Sequence, residues 1–442
     1  MAEGDGKAQG KAEVKLTINP VCSINGSIRP PSDKSLTHRA YMFAAFASSE
    51  SVVRNPLRGE DCENTLRAMI HLGLRHEMLG PEELRLIPTK EWMQPYGPID
   101  CGNSGTTMRL LAGLVASRPL NITFIGDASL SKRPMGRIRT PLELMGAEIE
   151  GERPPLTIRG GSLKGIDYIS PVASAQVKSC TLLAGLRAEG ITSVSEPSLS
   201  RDHTERMLRA MGCQLTTEGL KVSIEGGQEG HGFEFNVPGD ISSAAFFVVA
   251  TALLPNSRLE VIELSVNPTR TGLLDVLTQC QTPFALFDIQ EQLGEPVGSL
   301  VVETANHLQP FSIEGDLVPR LIDEIPVLAV LATQCEGTSI IRNAKELRVK
   351  ESDRIELVAN GLRGMGAKVE TFEDGMAITG PTKLRATKID AHGDHRIAMA
   401  FAIAGLIAEG TTEIDGADSI ATSFPGFEVE LARLCQPVNS NL

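Results

Sequence analysis

The sequence predicts an α/β protein of two domains, each built from three copies of one strand–helix unit. Three observations predict this fold. The chain has 442 residues, which is more than a single hydrophobic core usually holds. One helical pattern recurs six times at intervals of about 70 residues. Most copies of this helix lead through a glycine or polar turn into a β-rich run, such as GITSV at residues 190–194.

Each copy of the pattern begins at a residue that can cap a helix N-terminus. Asp, Asn and Ser side chains accept hydrogen bonds from the free N–H groups of the first helical turn. About a dozen mostly apolar or small residues follow each start, which indicates a buried helix. The six predicted starts are Asp33, Asn103, Ser174, Asp240, Asp323 and Asp394.

A second, amphipathic helix follows within most copies. It ends at a Met-Gly step, where glycine permits the left-handed conformation of a helix C-cap. In the copy that starts near residue 353, the apolar face consists of Ile355, Val358, Leu362 and Met365. Each unit is therefore predicted to run strand–helix–strand–helix–strands. The shared pattern P-x-D-x-S at 31–35 and 238–242 suggests a boundary near Pro238–Asp240, with three units on each side.

Composition argues against several functional classes. The net charge is −13 and aromatic residues make up 4% of the chain, which argues against a nucleic-acid or anionic-membrane binder. The eight cysteines form no CxxC pair, so a zinc ribbon or a thioredoxin-type site is not expected. Scattered single cysteines are typical of a reducing compartment, and we expect a cytoplasmic protein.

Targeting and cofactor motifs are also missing from the sequence. Residues 1–12 are polar and rich in Gly and Ala, so neither a signal nor a transit peptide is expected. The longest apolar run, 398–408, is too short to span a bilayer. The sequence contains no P-loop, EF-hand or HExxH motif, and no GxGxxG that follows a predicted strand. We therefore expect neither a cofactor nor a metal.

Basic residues recur where helix N-termini are predicted. The partial positive charge of these ends disfavours each cation by about 0.3–1 kcal/mol, but an anion binds well where a cation meets exposed N–H groups. Any one cation is equally explained by pairing with a neighbouring carboxylate. Their recurrence at equivalent places favours a site for several phosphates or carboxylates between the two halves. These cations are Lys34, Arg39, Arg133, Arg201, Lys350, Arg354 and Arg396.

The sequence alone allows two interpretations of several other candidate residues. The loop CGNSGTTMR at 101–109 offers N–H groups to an oxyanion, although such turns are common. Asp323 is either a helix cap or a proton acceptor. Glu351 is either a surface acid or an acid–base group whose pKa is set by the neighbouring cations. His395 fits a structural role at least as well as a catalytic one.

Eight motifs together resemble the 5-enolpyruvylshikimate-3-phosphate synthase family. They occur in the family's order: SDKSLTHR, GNSGTTMRL, SKRPMGR, SAQVKS, LIDEIP, RVKESDR, GDHRIAM and SFPGF. The resemblance covers residues 15–435. Three motifs, SAQVKS, NPTRTG and RVKESDR, look like the branch of the family called class II.

The resemblance implies a two-domain inside-out α/β barrel. Each domain would arrange three βαβαββ repeats around a pseudo-threefold axis, with the N-termini of the buried helices facing the interdomain cleft. The chain would cross between domains near 30–32 and 238–240. Residues 30–239 would form the first domain, mainly the shikimate 3-phosphate side, and 1–29 with 240–442 the second.

The resemblance also implies a reaction, that of a 3-phosphoshikimate 1-carboxyvinyltransferase of the shikimate pathway, which leads to chorismate and aromatic amino acids. The 5-hydroxyl of shikimate 3-phosphate would add to C2 of phosphoenolpyruvate, and phosphate would leave through a tetrahedral intermediate. A C–O bond breaks rather than a P–O bond, so no metal or other cofactor is expected. We further expect a monomer without nucleic-acid or membrane partners.

Roles for individual residues follow from the matched motifs. Asp323 would accept the 5-hydroxyl proton, Glu351 would handle the methylene proton, and Lys34 would contact both substrates. Shikimate 3-phosphate would be bound by Lys34, Ser35, Arg39, Ser174, Ala175, Gln176, Arg201, Asp323 and Lys350. Phosphoenolpyruvate would be bound by Lys34, Gly105, Arg133, Gln176, Arg354 and Arg396. Further candidates are Asn103, Thr106, His395 and Thr422. Asp353 is expected to be structural.

One position departs from the resembled family, and a second bears on inhibition. Many members carry a lysine where this chain has Thr422, which leaves one contact to the phosphoenolpyruvate carboxylate unassigned. Members of class II that tolerate glyphosate are associated with alanine at the place of Gly105. Because this chain has glycine there, we expect glyphosate to inhibit it.

Two alternative functions stay open on the sequence alone. UDP-N-acetylglucosamine enolpyruvyl transferase shares the implied fold, but it carries a cysteine in the loop that here reads GDASLSKRPMGR, which has none. The other alternative is a non-catalytic anion-binding protein on the same duplicated scaffold. Such a protein would keep its ligand after Asp323→Asn and Glu351→Gln, with no turnover to lose.

Overall fold

The computed structural model describes residues 15–437. Residues 1–12, for which the sequence predicts no targeting segment, lie outside this range. Buried hydrophobic side chains form two separate cores. One core draws its residues from 36–237, and we call the elements around it the first half. The other draws its residues from 16–28 and 241–434 and belongs to the second half. The exact domain limits given above stay a prediction.

Helices and strands alternate along most of the described chain. The helices are α1 Lys34–Ala44, α2 Glu60–His71, α3 Gly105–Ala116, α4 Gly136–Leu144, α5 Ala175–Gly185, α6 His203–Ala210, α7 Ile241–Leu253, α8 Gly272–Gln279, α9 Leu317–Leu321, α10 Ile325–Ala332, α11 Arg354–Gly364, α12 His395–Leu406 and α13 Phe427–Leu434. Short 3₁₀ helices are Leu130–Lys132, Lys345–Val349 and Ala417–Thr422.

The strands are short, as expected for many small sheets. In chain order they are β1 Leu16–Ile18, β2 Val21–Ile28, β3 Ser51–Arg54, β4 Arg75–Gly80, β5 Glu83–Ile87, β6 Ile99–Asp100, β7 Asn121–Ile125, β8 Glu148–Glu150, β9 Leu156–Arg159, β10 Asp167–Ile169, β11 Ile191–Ser195, β12 Leu215–Glu218, β13 Lys221–Glu225, β14 Glu234–Asn236, β15 Arg258–Ser265, β16 Phe284–Gln292, β17 Glu295–Glu303, β18 Ser312–Ile313, β19 Gly337–Ile341, β20 Lys368–Phe372, β21 Gly375–Gly380, β22 Lys388–Asp390, β23 Thr412–Asp415 and β24 Cys435–Pro437.

One sheet topology recurs in both halves. In the order β6-β7-β9-β8, the first pair is parallel and the other two pairs are antiparallel. The same arrangement holds for β10-β11-β13-β12 and for β18-β19-β21-β20. With the helices between them, the first of these sheets reads βαβαββ along the chain. The predicted repeat is therefore confirmed.

Two strands belong to a repeat that lies far away in the sequence. The sheet of β3, β4 and β5 takes its parallel edge strand from β14, at the end of the first half. The sheet of β15, β16 and β17 takes its parallel strand from β2, near the start of the chain, and β24 adds an edge. The last repeat differs, because β22 and β23 are completed only by β1.

The chain passes between the halves twice, and the two connecting segments lie side by side. Asp33 N donates to Pro238 O at 2.7 Å, and Asp240 N donates to Pro31 O at 2.8 Å. These bonds bring the starts of α1 and α7 together. Two helices from different halves therefore begin at one place.

Helix caps agree with the sequence prediction at four of the six starts. The caps that accept an N–H from the first turn as predicted are Asp33, Ser174, Asp240 and Asp394. At the other two starts the prediction was wrong by one residue. Ser104, and not Asn103, caps α3, whereas Glu324, and not Asp323, precedes α10. Pattern alone could not choose between adjacent polar residues.

Lys350 and Arg354, two of the cations expected at helix N-termini, do not open one helix together. Helix α11 begins at Arg354, and Asp353 caps it by accepting from Glu356 N. Because a cap residue has non-helical backbone angles, the helix does not extend back to Lys350. Lys350 lies in the preceding loop, free of helical geometry, and Asp353 has the structural role expected of it.

The buried helices pack against one another within each half. In the first half α3 packs on α5 and α1, and Gly113 allows a close approach, since a Cβ there would lie 2.1 Å from Cys180 O. In the second half α10 packs on α12 and α7. Across residues 15–437 no helix has the length and apolar composition needed to cross a membrane.

Candidate active site

The candidate site lies where the N-termini of the buried helices meet between the two halves. Side-chain contacts join these ends: Gln176 on α5 donates to Thr106 on α3, and Arg354 on α11 pairs with Asp394 before α12. Contacts also cross from one half to the other, as described below for Asp323 and Glu351. The free N–H groups of several helices and the cations beside them therefore face one cleft.

Asp323 is surrounded by cations from both halves. Its Oδ2 lies 2.5 Å from Arg201 Nη2, which belongs to the first half. Its Oδ1 lies 3.5 Å from Arg354 Nη1 and 3.7 Å from Lys350 Nζ. Its backbone carbonyl accepts from Arg396 Nη1 at 3.2 Å. The structure thus brings Asp323 together with four of the cations predicted to bind substrates.

These cations control the ionisation of Asp323. Burial by itself would raise the pKa of its carboxyl group, but the charges of Lys350 and Arg201 outweigh burial and hold that pKa well below its usual range. Asp323 is therefore ionised at neutral pH. A carboxylate within reach of several cations can accept a proton once those cations are shared with other anions.

Glu351 forms the second cross-cleft contact. Its Oε2 lies 2.7 Å from Arg354 Nη2, and its Oε1 lies 3.6 Å from Arg133 Nη2 of the first half. Burial alone would raise the pKa of Glu351, but the charges of Arg354 and Arg133 hold it well below its usual range. The two candidate acid–base groups, Asp323 and Glu351, therefore share Arg354.

Lys34 is the first residue of α1, and its partner is a carboxylate that the sequence did not suggest. Lys34 Nζ lies 3.1 Å from Asp61 Oδ2 on α2. Burial alone would lower the pKa of Lys34, but Asp61 and Glu351 outweigh burial and raise it. Lys34 therefore carries its charge in the cleft, between the two halves.

Arg39 is buried and binds polar groups of α1, α5 and α6. It donates to Thr204 Oγ1 at 2.8 Å, to Ser179 Oγ at 3.0 Å and to Ser35 O at 2.9 Å. Burial lowers the pKa of its guanidinium to about 10, which still leaves it charged at neutral pH. These bonds hold Arg39 beside α5.

The start of α5 is shaped by its cap. Ser174 accepts from Val177 N, and its own N–H donates to Glu196 Oε1 at 3.0 Å. Ala175 is the first helical residue, with no side chain beyond Cβ to cover the N–H groups of the turn. This end of α5 can therefore receive an anion in the manner of other helix N-termini.

The start of α3 gathers a second set of predicted residues. Arg133 Nη2 donates to Asn103 Oδ1 at 2.6 Å, so both residues lie at this end of the helix. Gln176 donates to Thr106 and accepts from Arg109 Nη1 at 2.7 Å. A Cβ on Gly105 would lie 2.8 Å from Arg109 Nη1 and 3.5 Å from Arg133 Nη1. Glycine thus leaves room for two guanidinium groups.

Two arginines of the second half share the cap of α12. Arg354 Nε lies 2.8 Å from Asp394 Oδ2, and its side chain is only 1% exposed. Arg396 N donates to Asp394 Oδ1 at 3.0 Å as part of the cap. Asp394 therefore holds the guanidinium of Arg354 and the backbone of Arg396, and the two arginine side chains could bind one carboxylate together.

Two candidates have a less direct relation to this cluster. His395 is buried, and burial together with the charge of Lys34 lowers its pKa to about 3, so it is neutral at neutral pH. Thr422 lines a surface cavity of about 530 Å³ with Arg58, Arg67 and Asp418 among its neighbours. Within residues 15–437 no hydrogen bond joins the Thr422 side chain to the predicted substrate residues.

Sequence reasoning missed several residues of the cluster. Asp61 pairs with Lys34, and Arg109 contacts Gln176. Arg109 ends the motif GNSGTTMR one helical turn after Gly105, so i,i+4 spacing on a predicted helix could have indicated it. Asp61 lies in the ordinary acidic first turn of α2, and only the tertiary structure shows its partner.

Comparison with known proteins shows which family the chain is similar to. The family model described as EPSP synthase (3-phosphoshikimate 1-carboxyvinyltransferase) matches residues 18–431. The chain belongs to the EPSP synthase family. A Bacillus cereus (strain AH187) protein named 3-phosphoshikimate 1-carboxyvinyltransferase is 48% identical over 424 residues, which cover 95% of this chain and 99% of that protein.

Other relatives agree with this family membership. A Bacillus thuringiensis subsp. konkukian protein of the same name is 48% identical over 426 residues, covering 95% of this chain and 99% of that protein. A solved EPSP synthase from Acinetobacter baumannii superposes with a TM-score of 0.86 and 42% identity, over 96% of this chain and 98% of that chain. The predicted family, the fold class and the assignment as an enzyme are confirmed.

Proposed function

We propose that this chain transfers the enolpyruvyl group of phosphoenolpyruvate to the 5-hydroxyl of shikimate 3-phosphate and releases phosphate. The observation that carries the proposal is the cleft in which Asp323 and Glu351 meet cations of both halves. Two substrates that each carry a phosphate and a carboxylate need several cations and helix N-termini in one place. The reaction also needs two groups that move protons.

The shikimate 3-phosphate site would lie on the side of α1 and α5. Arg39 beside Ser179, the capped start of α5 at Ser174, and Arg201 all belong to the first half. Ser35, Ala175, Gln176, Lys350 and Lys34 complete the proposed site. Asp323 would accept the proton of the 5-hydroxyl, since its carboxyl group is ionised beside Arg201.

The phosphoenolpyruvate site would lie between the start of α3 and the start of α12. Gly105 and Arg133 would bind its phosphate, and Arg354 with Arg396 would bind its carboxylate in the planar manner that suits guanidinium groups. Lys34 and Gln176 would contact this substrate where it meets the other. Asn103 and Thr106 would orient Arg133 and Gln176 through the bonds described above.

Substrate binding would also prepare Glu351 for proton transfer. Glu351 lies against Arg354 and Arg133, the cations proposed to bind phosphoenolpyruvate. The carboxylate and phosphate of that substrate would compete for these guanidinium groups and weaken their hold on Glu351. Its pKa would then rise towards the value at which a carboxyl group can deliver a proton to the methylene carbon.

The UDP-N-acetylglucosamine enolpyruvyl transferase alternative is not favoured. The family model and the relatives all carry the shikimate enzyme's name, and the loop at 126–137 contains no cysteine. A purely anion-binding role gives no reason for two carboxylates among the cations. Thr422 leaves one carboxylate contact of phosphoenolpyruvate unassigned, and Arg354 with Arg396 would have to supply it.

We further propose that the enzyme is cytoplasmic and monomeric and that glyphosate inhibits it. All eight cysteines are free thiols, which suits a reducing compartment. All proposed site residues come from one chain, so a second copy is not needed to complete the cleft. Light scattering during gel filtration should give a mass near 47.4 kDa. A dimer mass at micromolar concentration would refute the monomer.

The test of the reaction is phosphate release from phosphoenolpyruvate. It would be measured in EDTA with shikimate 3-phosphate or UDP-N-acetylglucosamine as the acceptor. Release only with shikimate 3-phosphate is the expected result, and its insensitivity to EDTA would support a reaction without metal. Release only with the sugar nucleotide would favour the sibling enzyme. Tight phosphoenolpyruvate binding without release from either would favour an anion-binding protein.

A further inference from the structure

The motif NPTRTG has no part in the function proposed above, yet most of its polar side chains are buried near the cleft. Residues 266–271 connect β15 to α8 in the second half. Asn267 is fully buried, and Arg270 is 1% exposed. A buried arginine needs partners for its charge and its N–H groups, because an unpaired buried charge is costly.

Arg270 binds the caps of two helices that belong to different halves. Its Nη1 lies 3.2 Å from Oδ2 of Asp33, which caps α1. Its Nη2 lies 2.9 Å from Oδ1 of Asp240, which caps α7, and donates to Ser242 Oγ at 2.6 Å. One guanidinium group therefore fixes the two helix starts at which the chain passes between the halves.

From these caps the contacts reach two residues of the proposed active site. Lys34 directly follows Asp33, and its backbone N donates to Asp240 Oδ2 at 3.4 Å. Ser242 Oγ donates to Glu324 Oε1, and Glu324 directly follows Asp323. We call Arg270 and the linked residues Asp33, Asp240, Ser242 and Glu324 the Arg270 network. Lys34 and Asp323 each lie next in sequence to a member of this network.

Charge explains why an arginine suits this position. Asp33, Asp240 and Glu324 are all buried, and Arg270 is the cation that contacts the first two of them. The planar fork of a guanidinium can reach several oxygens in fixed directions, whereas a lysine ammonium is a single point of charge. Substitution by lysine would keep the charge but lose part of the geometry.

We propose that Arg270 is a positioning residue that sets the distance between Lys34 and Asp323 by joining the starts of α1, α7 and α10. The inference rests on the proposed function, since it takes its two endpoints from that site. Arg270 would not touch either substrate. Its effect would appear in the chemical step, where Asp323 accepts a proton, more than in the binding of shikimate 3-phosphate through Arg39 and α5.

The test compares Arg270→Gln and Arg270→Lys with the wild type and with Arg118→Gln as a matched control. Arg118 is also buried, but it lies just after the C-terminal end of α3, about 20 Å from Gly105 along the helix direction, and donates to Leu114 O. Active sites are counted by calorimetric titration with shikimate 3-phosphate. Then kcat per site, the KM of phosphoenolpyruvate and the Kd of shikimate 3-phosphate are measured.

A positioning role and a purely structural role predict different results. For positioning, kcat per site should fall at least tenfold in Arg270→Gln and at least fivefold in Arg270→Lys. The Kd of shikimate 3-phosphate should change less than threefold, and Arg118→Gln should keep its kcat per site. For a structural role, fewer sites would titrate, but each would turn over normally, and this result would overturn the inference.

The same set of variants also distinguishes a folding failure of Arg270→Gln from a failure of the proposed function. If Arg270→Gln does not fold, Arg270→Lys decides, because it retains the charge: a kcat per site within twofold of wild type refutes the positioning role. If the wild type itself does not turn over, the proposed function fails. An active wild type with unaffected Arg270 variants refutes only the inference about Arg270.

Discussion

At the scale of single residues, Asp323 and Glu351 are held ionised by cations that the substrates are also proposed to use. Each carboxylate bridges the two halves, Asp323 through Arg201 and Glu351 through Arg133. The pKa of each group is well below its usual range for this reason. Substrate anions would take over these cations, so binding and proton transfer would be linked through the same guanidinium groups.

The first prediction concerns these two carboxylates. We expect Asp323→Asn and Glu351→Gln each to lower kcat by about 100-fold or more, the usual scale of general acid–base catalysis. Steady-state phosphate release measures kcat, and calorimetry checks that shikimate 3-phosphate still binds. Glu356→Gln, an exposed change on α11, serves as the control and should keep full activity. Retained turnover in both site variants would contradict the proposed roles.

The second prediction concerns Gly105 and glyphosate. In Gly105→Ala, the new Cβ would lie 2.8 Å from Arg109 Nη1, whose position is fixed by Gln176. The Arg109 guanidinium must move, and the pocket beside Arg133 becomes narrower. We expect the inhibition constant of glyphosate to rise by about tenfold, equivalent to about 1.4 kcal/mol.

The matched control for this change is Gly161→Ala, where a Cβ meets no atom within 4 Å. Competitive inhibition against phosphoenolpyruvate would be measured for both variants and the wild type. An inhibition constant that does not respond to Gly105→Ala would show that glyphosate does not bind beside Gly105.

The third prediction concerns the buried His395. Its pKa in the folded protein is lowered to about 3 from an ordinary value near 6.5. Below about pH 6.5 the unfolded state binds a proton that the folded state does not. The free energy of unfolding therefore decreases as the pH is lowered from about 6.5 to about 3. Between pH 7 and pH 5 this costs about 2 kcal/mol of the free energy of unfolding.

Urea unfolding at the two pH values tests the His395 prediction. His395→Gln should lose about 2 kcal/mol less stability than the wild type over this interval. His307→Gln, a change at an exposed histidine, should behave like the wild type. Equal losses in wild type and His395→Gln would show that another group controls the acid sensitivity.

At the scale of secondary structure elements, caps place the functional residues at helix starts. Asp394 caps α12 and also fixes Arg354, so one side chain serves both the helix and the cleft. Asp353 caps α11, which begins at Arg354, and also pairs with Arg348 at 2.8 Å. The Asp353 cap therefore fixes the position of Arg354, at the start of α11, relative to the loop that carries Lys350 and Glu351.

The fourth prediction separates capping from catalysis at Asp353. We expect Asp353→Ala to lower the free energy of unfolding by about 1 kcal/mol, the usual value of an N-cap. Its kcat should fall far less than that of Asp323→Asn, because Asp353 is not proposed to contact substrate. Asp353→Asn should keep most of the stability, since asparagine also caps helices well. A kcat loss in Asp353→Ala as large as that of Asp323→Asn would assign Asp353 to the site itself.

At the scale of the whole molecule, the two halves are joined by polar contacts around the cleft rather than by one continuous core. The hydrophobic residues form two separate clusters. Between them lie the ion pairs of Asp323 and Glu351, the Arg270 network, and a bond from Asn267 Nδ2 to Asp202 Oδ1 at 2.8 Å. Anionic ligands that bind these groups should therefore stabilise both halves together.

The fifth prediction follows from this arrangement. Shikimate 3-phosphate at 100 times its Kd should raise the free energy of unfolding by about 2.7 kcal/mol. Because the proposed site draws on Arg39 of the first half and Asp323 of the second, the whole transition should shift. Denaturant unfolding followed by circular dichroism measures this shift. If two transitions are resolved and only one of them moves, the ligand contacts one half alone.

The amino-acid sequence by itself determined the repeat, the buried helices and the residue types of the site. These features depend on patterns within about a dozen residues, such as apolar periodicity, cap residues and Met-Gly stops. The order of the motifs was enough to predict the family. The same patterns left helix starts uncertain by one residue. At α3 this is because Asn103 and Ser104 have similar capping ability, and at α10 it is because Glu324 precedes the helix without a side-chain cap bond.

Only the tertiary structure decided which distant residues meet. The exchange of β2 and β14 between repeats, the Lys34–Asp61 pair and the Arg270–Asp33 contact join residues far apart in the chain, the last pair by 237 positions. A local pattern contains no information about such partners, since charge pairing depends on distance in space. The sequence therefore indicated the charged groups, and the packing of the two halves decided which of them form ion pairs or meet at a helix start.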